Sequence, residues 1–384
     1  MAYPLKGIRV LDLSRVLAGP FAGRMLCDLG ADVVKLEPPE GDVMRFWGQK
    51  VGGVSGYFNQ QNAGKRDISV DLRDPRGAEL VKKLVVQADV LIENFRPDVM
   101  GRLGLDYATL AALNPRLIML SISGFGASNG DSARAAYAPI VHAELGLVAR
   151  QATISDAFPA DIACSVADTN ASLHGLVALL AALYARGQSG QGEHIDLAMV
   201  DASLVTNDGM AYAMDGLDRP PPNEVFETAG GNLMLAGEFR YIWKCLTKIF
   251  DLSDGLGEDA SLTEKIAARR AAVDHFFNHT CGDRAQVIAA LDQMNIAWGD
   301  VRDAQEAASL TSVQARGALT EVDDRAGGTR TITQSPYHFK HLEAAVQAGA
   351  PHLGEHNREV LEEWLGFDAA QFADWHEVMV QKLP

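Results

Sequence analysis

The feature that most restricts the fold of this chain is an alternation of short β-rich runs with helical stretches, starting at residue 8 and continuing past residue 120. Residues 8–13 read as a strand, Val16-Leu17-Ala18-Gly19-Pro20 as a turn, 21–29 as a helix stopped at Gly30, and 31–37 as a second strand. Further strands are expected at 67–72, 88–93 and 116–123, with a helix opened by Pro75 and helical pieces at 100–104 and 107–113 between them. Parallel strands cannot be joined by a tight turn, so the chain must cross back over the sheet, usually as a helix. Repeated β–α–β therefore predicts an α/β fold, a doubly wound parallel sheet with helices on both faces. In such sheets ligands gather at the carboxyl ends of the strands. Arg15, Asn94, Phe95 and residues 124–126 occupy those ends here. The first strand is not followed by GxGxxG, so Glu37 at the end of the second strand is weak support for a dinucleotide site.

Farther along, Asp168 precedes a proline-free, Ala/Leu-rich segment that runs to Arg186 and Gly187. An Asp before, a basic residue in the last turn and a Gly after predict a helix with Asp168 as its N-cap. The segment is apolar on nearly every side, which predicts a buried core helix. A carboxylate at that end faces unpaired N–H groups and the positive end of the helix dipole, so it is expected to stay ionised. An ionised carboxylate is what a nucleophile requires, although most aspartates in this position only cap.

A last strand is expected at 194–199, continuing as helix over 200–214. The connector Asp218-Arg219-Pro220-Pro221-Pro222-Asn223 closes a first domain of residues 1–218. A strand at 232–236 and helices near 240–250, 262–278 and 283–293 make 225–325 a smaller α+β domain. Residues 326–384 then form a linker, with a strand-like run at 329–333, and a C-terminal segment that returns to the large domain.

The formal charge of −16 argues against general affinity for nucleic acid or anionic membrane. The four cysteines, Cys27, Cys164, Cys245 and Cys281, are scattered and form no zinc, redox or disulfide pattern. The start of the chain lacks a basic segment followed by an apolar run, and the 175–185 stretch is too short to span a bilayer. These features fit a cytoplasmic protein. His275/His279 and His352/His356 have HxxxH spacing but lack the Glu of a zinc protease, so no metal site is expected. There is no GxSxG elbow and no P-loop. What remains is a carboxylate with glycines. Such a carboxylate can attack an activated acyl carbon, and strand-end N–H groups at Gly124–Gly126 could hold the developing oxyanion.

Several ordered segments resemble the class III CoA-transferases, a family that includes formyl-CoA transferase and the α-methylacyl-CoA racemases. They are residues 4–13, Leu17-Ala18-Gly19-Pro20, 29–39, 62–71, Glu93-Asn94-Phe95-Arg96-Pro97, Leu113-Asn114-Pro115-Arg116 and 121–126. The helix-and-strand segment to Asp201 and Pro351-His352-Leu353-Gly354-Glu355-His356 continue the match, so the likeness covers nearly the whole chain.

The resemblance implies a Rossmann-like large domain and an interlocked homodimer in which the small domain of one subunit caps the other's site. It implies an enzyme of acyl-CoA metabolism that moves coenzyme A from an acyl-CoA donor to a carboxylate acceptor. The CoA thioester is then substrate, and no cofactor is bound permanently. Asp168 matches the family's nucleophile. Val16, Ala18, Leu72, Arg73, Asn94, Phe95, Arg102 and Leu103 match its CoA contacts, with arginines suited to phosphates and Phe95 to adenine. Tyr137 stands where the racemases carry a His base. A neutral Tyr is a poor base, which favours transfer and leaves α-proton exchange on a 2-methylacyl-CoA as the alternative. Leu17 replaces a Gln of formyl-CoA transferase, and Gly230-Gly231 stands in the region of its tetraglycine lid. The likeness thus implies a catalytic-site role for Gly230 and Gly231 and an acyl pocket less polar than one for oxalate.

Overall fold

The computed structural model describes residues 2–216, 223–375 and 377–380. The chain divides into two compact units, one built from residues up to Asp215 and from Gln314 onward, the other from Gly216–Val313. The connector at 217–222 lies outside the described residues.

The first unit is organised on six parallel strands: β1 (Arg9–Asp12), β2 (Asp32–Glu37), β3 (Arg66–Ser69), β4 (Val90–Glu93), β5 (Ile118–Ser123) and β6 (Glu193–Ala198). Their order across the sheet is β3-β2-β1-β4-β5-β6. Val10 pairs with Val33 and Val90, and Leu11 with Val34 and Leu91. Side chains alternate across a strand, so Val10, Val33 and Val90 belong to the core on one face, and Leu11, Val34 and Leu91 to the core on the other. Strands buried on both faces read as near-continuous apolar runs, as β1, β2 and β4 do, whereas the edge strand β6 is exposed along much of its length and alternates Ile195 and Leu197 with His194 and Asp196. The order reverses at β1, so the crevice between β1 and β4 is the switch point where α/β sheets bind ligands.

The helices that bear on the site are α1 (Ala18–Asp28), α2 (Pro75–Val85), α3 (Pro97–Arg102), α4 (Tyr107–Leu113), α5 (Ala138–Glu144) and α6 (Val166–Ser189). Four boundaries differ from expectation. The 16–20 stretch is not all turn. Helix α1 begins at Ala18, because Pro20 in a first turn removes no intrahelical bond. The stretch 137–155, for which no strand is expected, is not one helix: α5 ends at Glu144, and Gly146, at φ 75°, separates it from a second helix at Leu147–Ser155. The stretch after β6 forms Met199–Val205 and Asp208–Met214 rather than one helix. Helix α6 begins two residues ahead of Asp168 and ends at Gly190, in the left-handed conformation that glycine adopts freely.

Helix α6 is also less enclosed than its composition suggests. Ala171, Gly175, Leu176 and Leu179 pack inward, whereas Leu173, Val177 and Tyr184 are exposed. Among the described residues it is the one helix whose length and hydropathy would allow a membrane crossing. The uninterrupted apolar run is shorter than the 24-residue helix that contains it, and its inward side belongs to the core over the sheet.

The second unit carries an antiparallel sheet of β7 (Asn223–Thr228), β8 (Gly231–Ala236) and β9 (Ala297–Asp300), with β8 in the middle. Leu233 and Leu235 of β8 enter a core with Ile242, Leu246, Phe277 and Leu291. The pairing of β7 with β8 places Gly231 opposite Thr228. Back in the first unit, Leu319–Asp323 and Thr329–Thr333 form a hairpin, and the helix Asn357–Leu365 contributes Val360, Leu361 and Trp364 to the core against β3 and α2.

Candidate active site

The loop from β1 to α1 is bound at successive backbone groups by side chains from other elements. Ser14 N–H donates to Asp12 Oδ1 at 3.0 Å, and Ser14 O accepts from Lys35 Nζ at 2.8 Å. Asn94 takes both sides of the next residue: Arg15 N–H donates to Asn94 Oδ1, and Asn94 Nδ2 donates to Arg15 O, each at 2.7 Å. Val16 N–H then donates to Asp42 Oδ2 at 3.1 Å. Val16 has φ 66°. That conformation is a genuine outlier for a β-branched residue and has to be held by its surroundings.

The charges that hold this loop are themselves buried and paired. Lys35 Nζ lies 3.3 Å from Asp42, and Lys65 Nζ lies 2.7 Å from Asp12, with all four side chains shielded from solvent. Burial opposes charge on Asp12, but Lys65 and Lys35 outweigh it and hold that group below its usual range. A buried pair of this kind contributes little net stability, yet losing one member is costly. Here the pairs brace the strained turn.

Directly after the turn, α1 approaches β1 very closely. A Cβ added to Gly19 would stand 2.1 Å from Ser14 Cβ, so this position requires glycine. The approach places the first N–H of α1 beside Asp168.

Asp168 sits in the first turn of α6 and is only 8% exposed. It is not the N-cap. That position is Ser165, whose side chain makes no capping bond. The imidazole of His142, from α5, does this instead: Ala167 N–H donates to Nε2 at 3.1 Å, while Nδ1 faces Asp161 Oδ1 at 2.8 Å. Accepting at Nε2 places the ring proton on Nδ1, toward the Asp161 carboxylate. Ser172 Oγ binds Ala18 O and also Asp168 O, the latter at 2.9 Å, tying α6 to the start of α1.

Contrary to the expectation of an easily ionised group, Asp168 titrates high, at about 6. Burial is the main cause. Hydrogen bonds from the backbone of Ala138 and Ala18 pull it partly back. Ala138 and Ala18 are the first residues of α5 and α1. Three helix N-termini therefore converge on one carboxylate, and their N–H groups and dipoles favour negative charge there. At pH 7 such a group is roughly nine-tenths ionised, buried enough to be reactive and charged enough to attack.

The residues expected to contact a ligand fall into three groups. Val16, Ala18, Asn94 and Asp168 are drawn together by the bonds just described. Leu72, Phe95 and Leu103 are half-buried against one apolar core. Arg73 and Arg102 are exposed and already paired, Arg73 with Glu40 at 2.6 Å and Asp71 at 2.7 Å, and Arg102 with Asp98 at 2.9 Å. Tyr137 directly precedes α5 and is 60% exposed. Gly124 N–H and Gly126 N–H do not stand equally open: Gly126 N–H is given to Ser123 Oγ at 3.0 Å. Gly230 lies with Ala229 in the β7–β8 turn, and Gly231 opens β8. Gly230 N–H donates to Thr228 Oγ1 at 3.0 Å, and that hydroxyl donates to Gly231 O at 2.7 Å.

A cavity of about 140 Å³ opens at the carboxyl ends of β4 to β6. Glu93, Phe95, Tyr107, Ser121, His194 and Asp196 line it. Burial raises Glu93 to about 7, although Ser121 and the Phe95 N–H bond to it. Ser121 Oγ lies 3.0 Å from His194 Nε2, and the His194 ring stacks on Tyr107.

Residues 5–357 match the family model described as CoA-transferase family III. The chain belongs to CoA-transferase family III. It is 35% identical to a succinate–glutarate CoA-transferase of Agrobacterium fabrum, over 94% of this chain and 95% of the relative. It is 32% identical to an acetyl-CoA:oxalate CoA-transferase of Acetobacter aceti, over 95% and 97%. A crystal structure of a CAIB/BAIF family protein from Brucella suis aligns with a TM-score of 0.79 at 30% identity, covering 95% of this chain and all of that one. The protein is thus a class III CoA-transferase, whose substrates are acyl-CoA thioesters and carboxylic acids.

For a CoA-transferase, the residues that sequence reasoning missed are those that fix the Asp168 surroundings: Asp42, Lys35, Ser172 and His142. One signal for them was present. Asp12 and Lys35 interrupt strands that are otherwise apolar, which a fully buried strand tolerates only when the charges are partnered. Tyr57, on the short helix Gly56–Asn62, was missed as well. Its phenol is pushed up by burial and by the Asp168 and Asp42 charges.

Proposed function

We propose that this CoA-transferase works through Asp168 as nucleophile. The carboxylate oxygen attacks the thioester carbon of the donor, the C–S bond breaks, and CoA leaves as thiolate, giving a mixed anhydride. The thiolate attacks the Asp168 acyl carbon and releases the donor acid, leaving an aspartyl-CoA thioester. The acceptor carboxylate attacks that thioester and expels the thiolate. The thiolate then attacks the acceptor's acyl carbon, forming the new acyl-CoA and restoring Asp168.

The observation that carries this reading is the convergence of the Ala18 and Ala138 N–H groups on the Asp168 carboxyl. In the two steps that occur at the aspartyl carbon, the oxyanion is Asp168's own oxygen. Preorganised N–H donors aimed there stabilise the transition state directly. CoA is placed across the β1/β4 crevice, against Val16, Ala18, Asn94 and Phe95, with Leu72, Arg73, Arg102 and Leu103 along its nucleotide end.

The relatives named for succinate and glutarate, succinyl-CoA and D-citramalate, and succinyl-CoA and mesaconate suggest a short dicarboxylate as acceptor or donor. We assign the protein to the cytoplasm and to an interlocked homodimer. Leu173, Val177 and Tyr184, exposed on α6 at 45%, 65% and 76%, supply apolar surface for a second copy. In that assembly the Gly230–Gly231 turn of one subunit covers the partner's acyl group. Thr228 already holds the Gly230 N–H, so that group's part is closure and not donation to the oxyanion.

The test is mass spectrometry of the protein after incubation with succinyl-CoA and a panel of acids. A CoA adduct on the Asp168 peptide, absent from Asp168→Ala, is the expected result. Full exchange activity in Asp168→Ala would sink the assignment. α-Deuterium uptake by a 2-methylacyl-CoA without any acceptor acid would support the racemase alternative.

A further inference from the structure

We propose that Arg15 is the cation that receives a phosphate group of coenzyme A, an inference that rests on the transferase reading above. The chain carries 50 acidic residues against 34 basic ones, so exposed arginines generally find a carboxylate. The two arginines matched to CoA contacts have done so, Arg73 with Asp71 and Glu40 and Arg102 with Asp98. Arg15 forms no ion pair among the described residues. Its guanidinium lies over the Phe95 ring, 5.4 Å from the centroid, at the crevice between β1 and β4.

Three features distinguish Arg15 from an ordinary solvated arginine. Asn94 holds its backbone on both sides, at 2.7 Å each, so the side chain springs from a fixed point. The next residue is the strained Val16, itself held by Asp42. Phe95 supports the guanidinium plane from beneath, an arrangement that orients it without consuming its donors. A planar fork of five N–H donors with no anion attached is suited to bidentate binding of phosphate oxygens. Arg96 is also exposed and unpaired among the described residues, but it has no ring support and no backbone clamp.

Coenzyme A offers two phosphate sources, the pyrophosphate and the 3′-phosphate. The experiment is calorimetric titration of the full-length protein and of Arg15→Met, Arg15→Lys and Arg96→Met with CoA and with dephospho-CoA. Steady-state rates with an acyl-CoA and with the matching acyl-pantetheine accompany it. Arg15→Met is expected to weaken CoA binding about ten- to hundredfold, as for a lost hydrogen-bonded charge pair, and Arg15→Lys less. The same variant should raise KM for acyl-CoA while kcat/KM for acyl-pantetheine falls less than about threefold. A loss that persists with dephospho-CoA assigns the pyrophosphate, and a loss that vanishes assigns the 3′-phosphate. Arg15→Met binding CoA as tightly as the unaltered protein overturns the proposal, as does an equal loss on acyl-pantetheine or a larger loss in Arg96→Met. Failure of the unaltered protein to bind CoA would instead overturn the transferase site itself.

Discussion

Ala167 N–H donates to Nε2 of His142 at 3.1 Å, so an imidazole from a neighbouring helix caps the helix that carries Asp168. Ser165, the residue in the cap position, leaves that task undone. His142→Ala removes the cap and leaves Asp161 without its partner, at a cost on the order of 2 kcal/mol. A lower melting temperature is expected, with a fall in kcat that exceeds any change in KM, because the first turn of α6 is no longer pinned beside α5. If thermal melts fall while kcat holds, Asp168 is placed without the imidazole.

The titration of Asp168 predicts two pH effects of opposite sense. Transfer needs the carboxylate, so kcat/KM should drop about tenfold per unit as pH falls below about 6. Measuring with dephospho-CoA thioesters keeps any ligand phosphate monoester from titrating in the same window. Stability runs the other way. The folded carboxyl titrates near 6 and the reference value is 3.8, so between these limits the folded state binds the proton more tightly. Stability is greatest with Asp168 protonated and is lost as pH rises through 6, by about 3 kcal/mol in total. Asp168→Asn cannot ionise. Its melting temperature relative to the unaltered protein should climb between pH 4 and 6 and then level off. A flat difference would mean that the site does not resist the charge.

Asp42 serves Lys35 and the Val16 N–H at once. Asp42→Ala strands a buried ammonium and a buried N–H, and breaking such a pair costs about 3–5 kcal/mol. Asp42→Asn keeps an acceptor for the N–H and should retain more stability and more activity. Chemical denaturation of both variants decides this, and equal losses would show that only the charge matters.

How much of this was legible in the sequence depended on the range of the interaction. The six parallel strands were, because the central ones, buried on both faces, leave an apolar run and the edge strand β6 alternates apolar with polar residues, and local pattern detects both. The antiparallel strands β7 and β9 were not, since their pairing with β8 spans up to about seventy residues and β7 abuts the proline connector. Asp168 stood out by its place before an apolar helix, yet its role as cap was misread. The ring that caps α6 comes from His142, 25 residues earlier, where no local motif announces it. The same holds for Asp42 and Asn94, which converge on residues 15 and 16 only after β1, β2 and β4 have paired. The raised titration of Asp168 could not be read at all, because it follows from burial and not from neighbours in the chain.

Val16 offers the sharpest test of the braced turn. At φ 66° a β-branched residue is strained, whereas glycine adopts that backbone freely. In ordinary structure Gly is less stable than Ala by up to about 1 kcal/mol. At this position the order should invert: Val16→Gly should be more stable than Val16→Ala by about 1 kcal/mol, since both lose the contacts of the two valine methyls but only Ala, with its Cβ, keeps the strain. The pair also separates conformation from contact in catalysis. Gly preserves the turn that brings Ala18 to Asp168, so its kcat should exceed that of the Ala variant. Equal melting temperatures and equal kcat for the two would mean that the turn relaxes in solution. The placing of the Ala18 N–H beside Asp168 would then owe nothing to the clamps from Asn94 and Asp42.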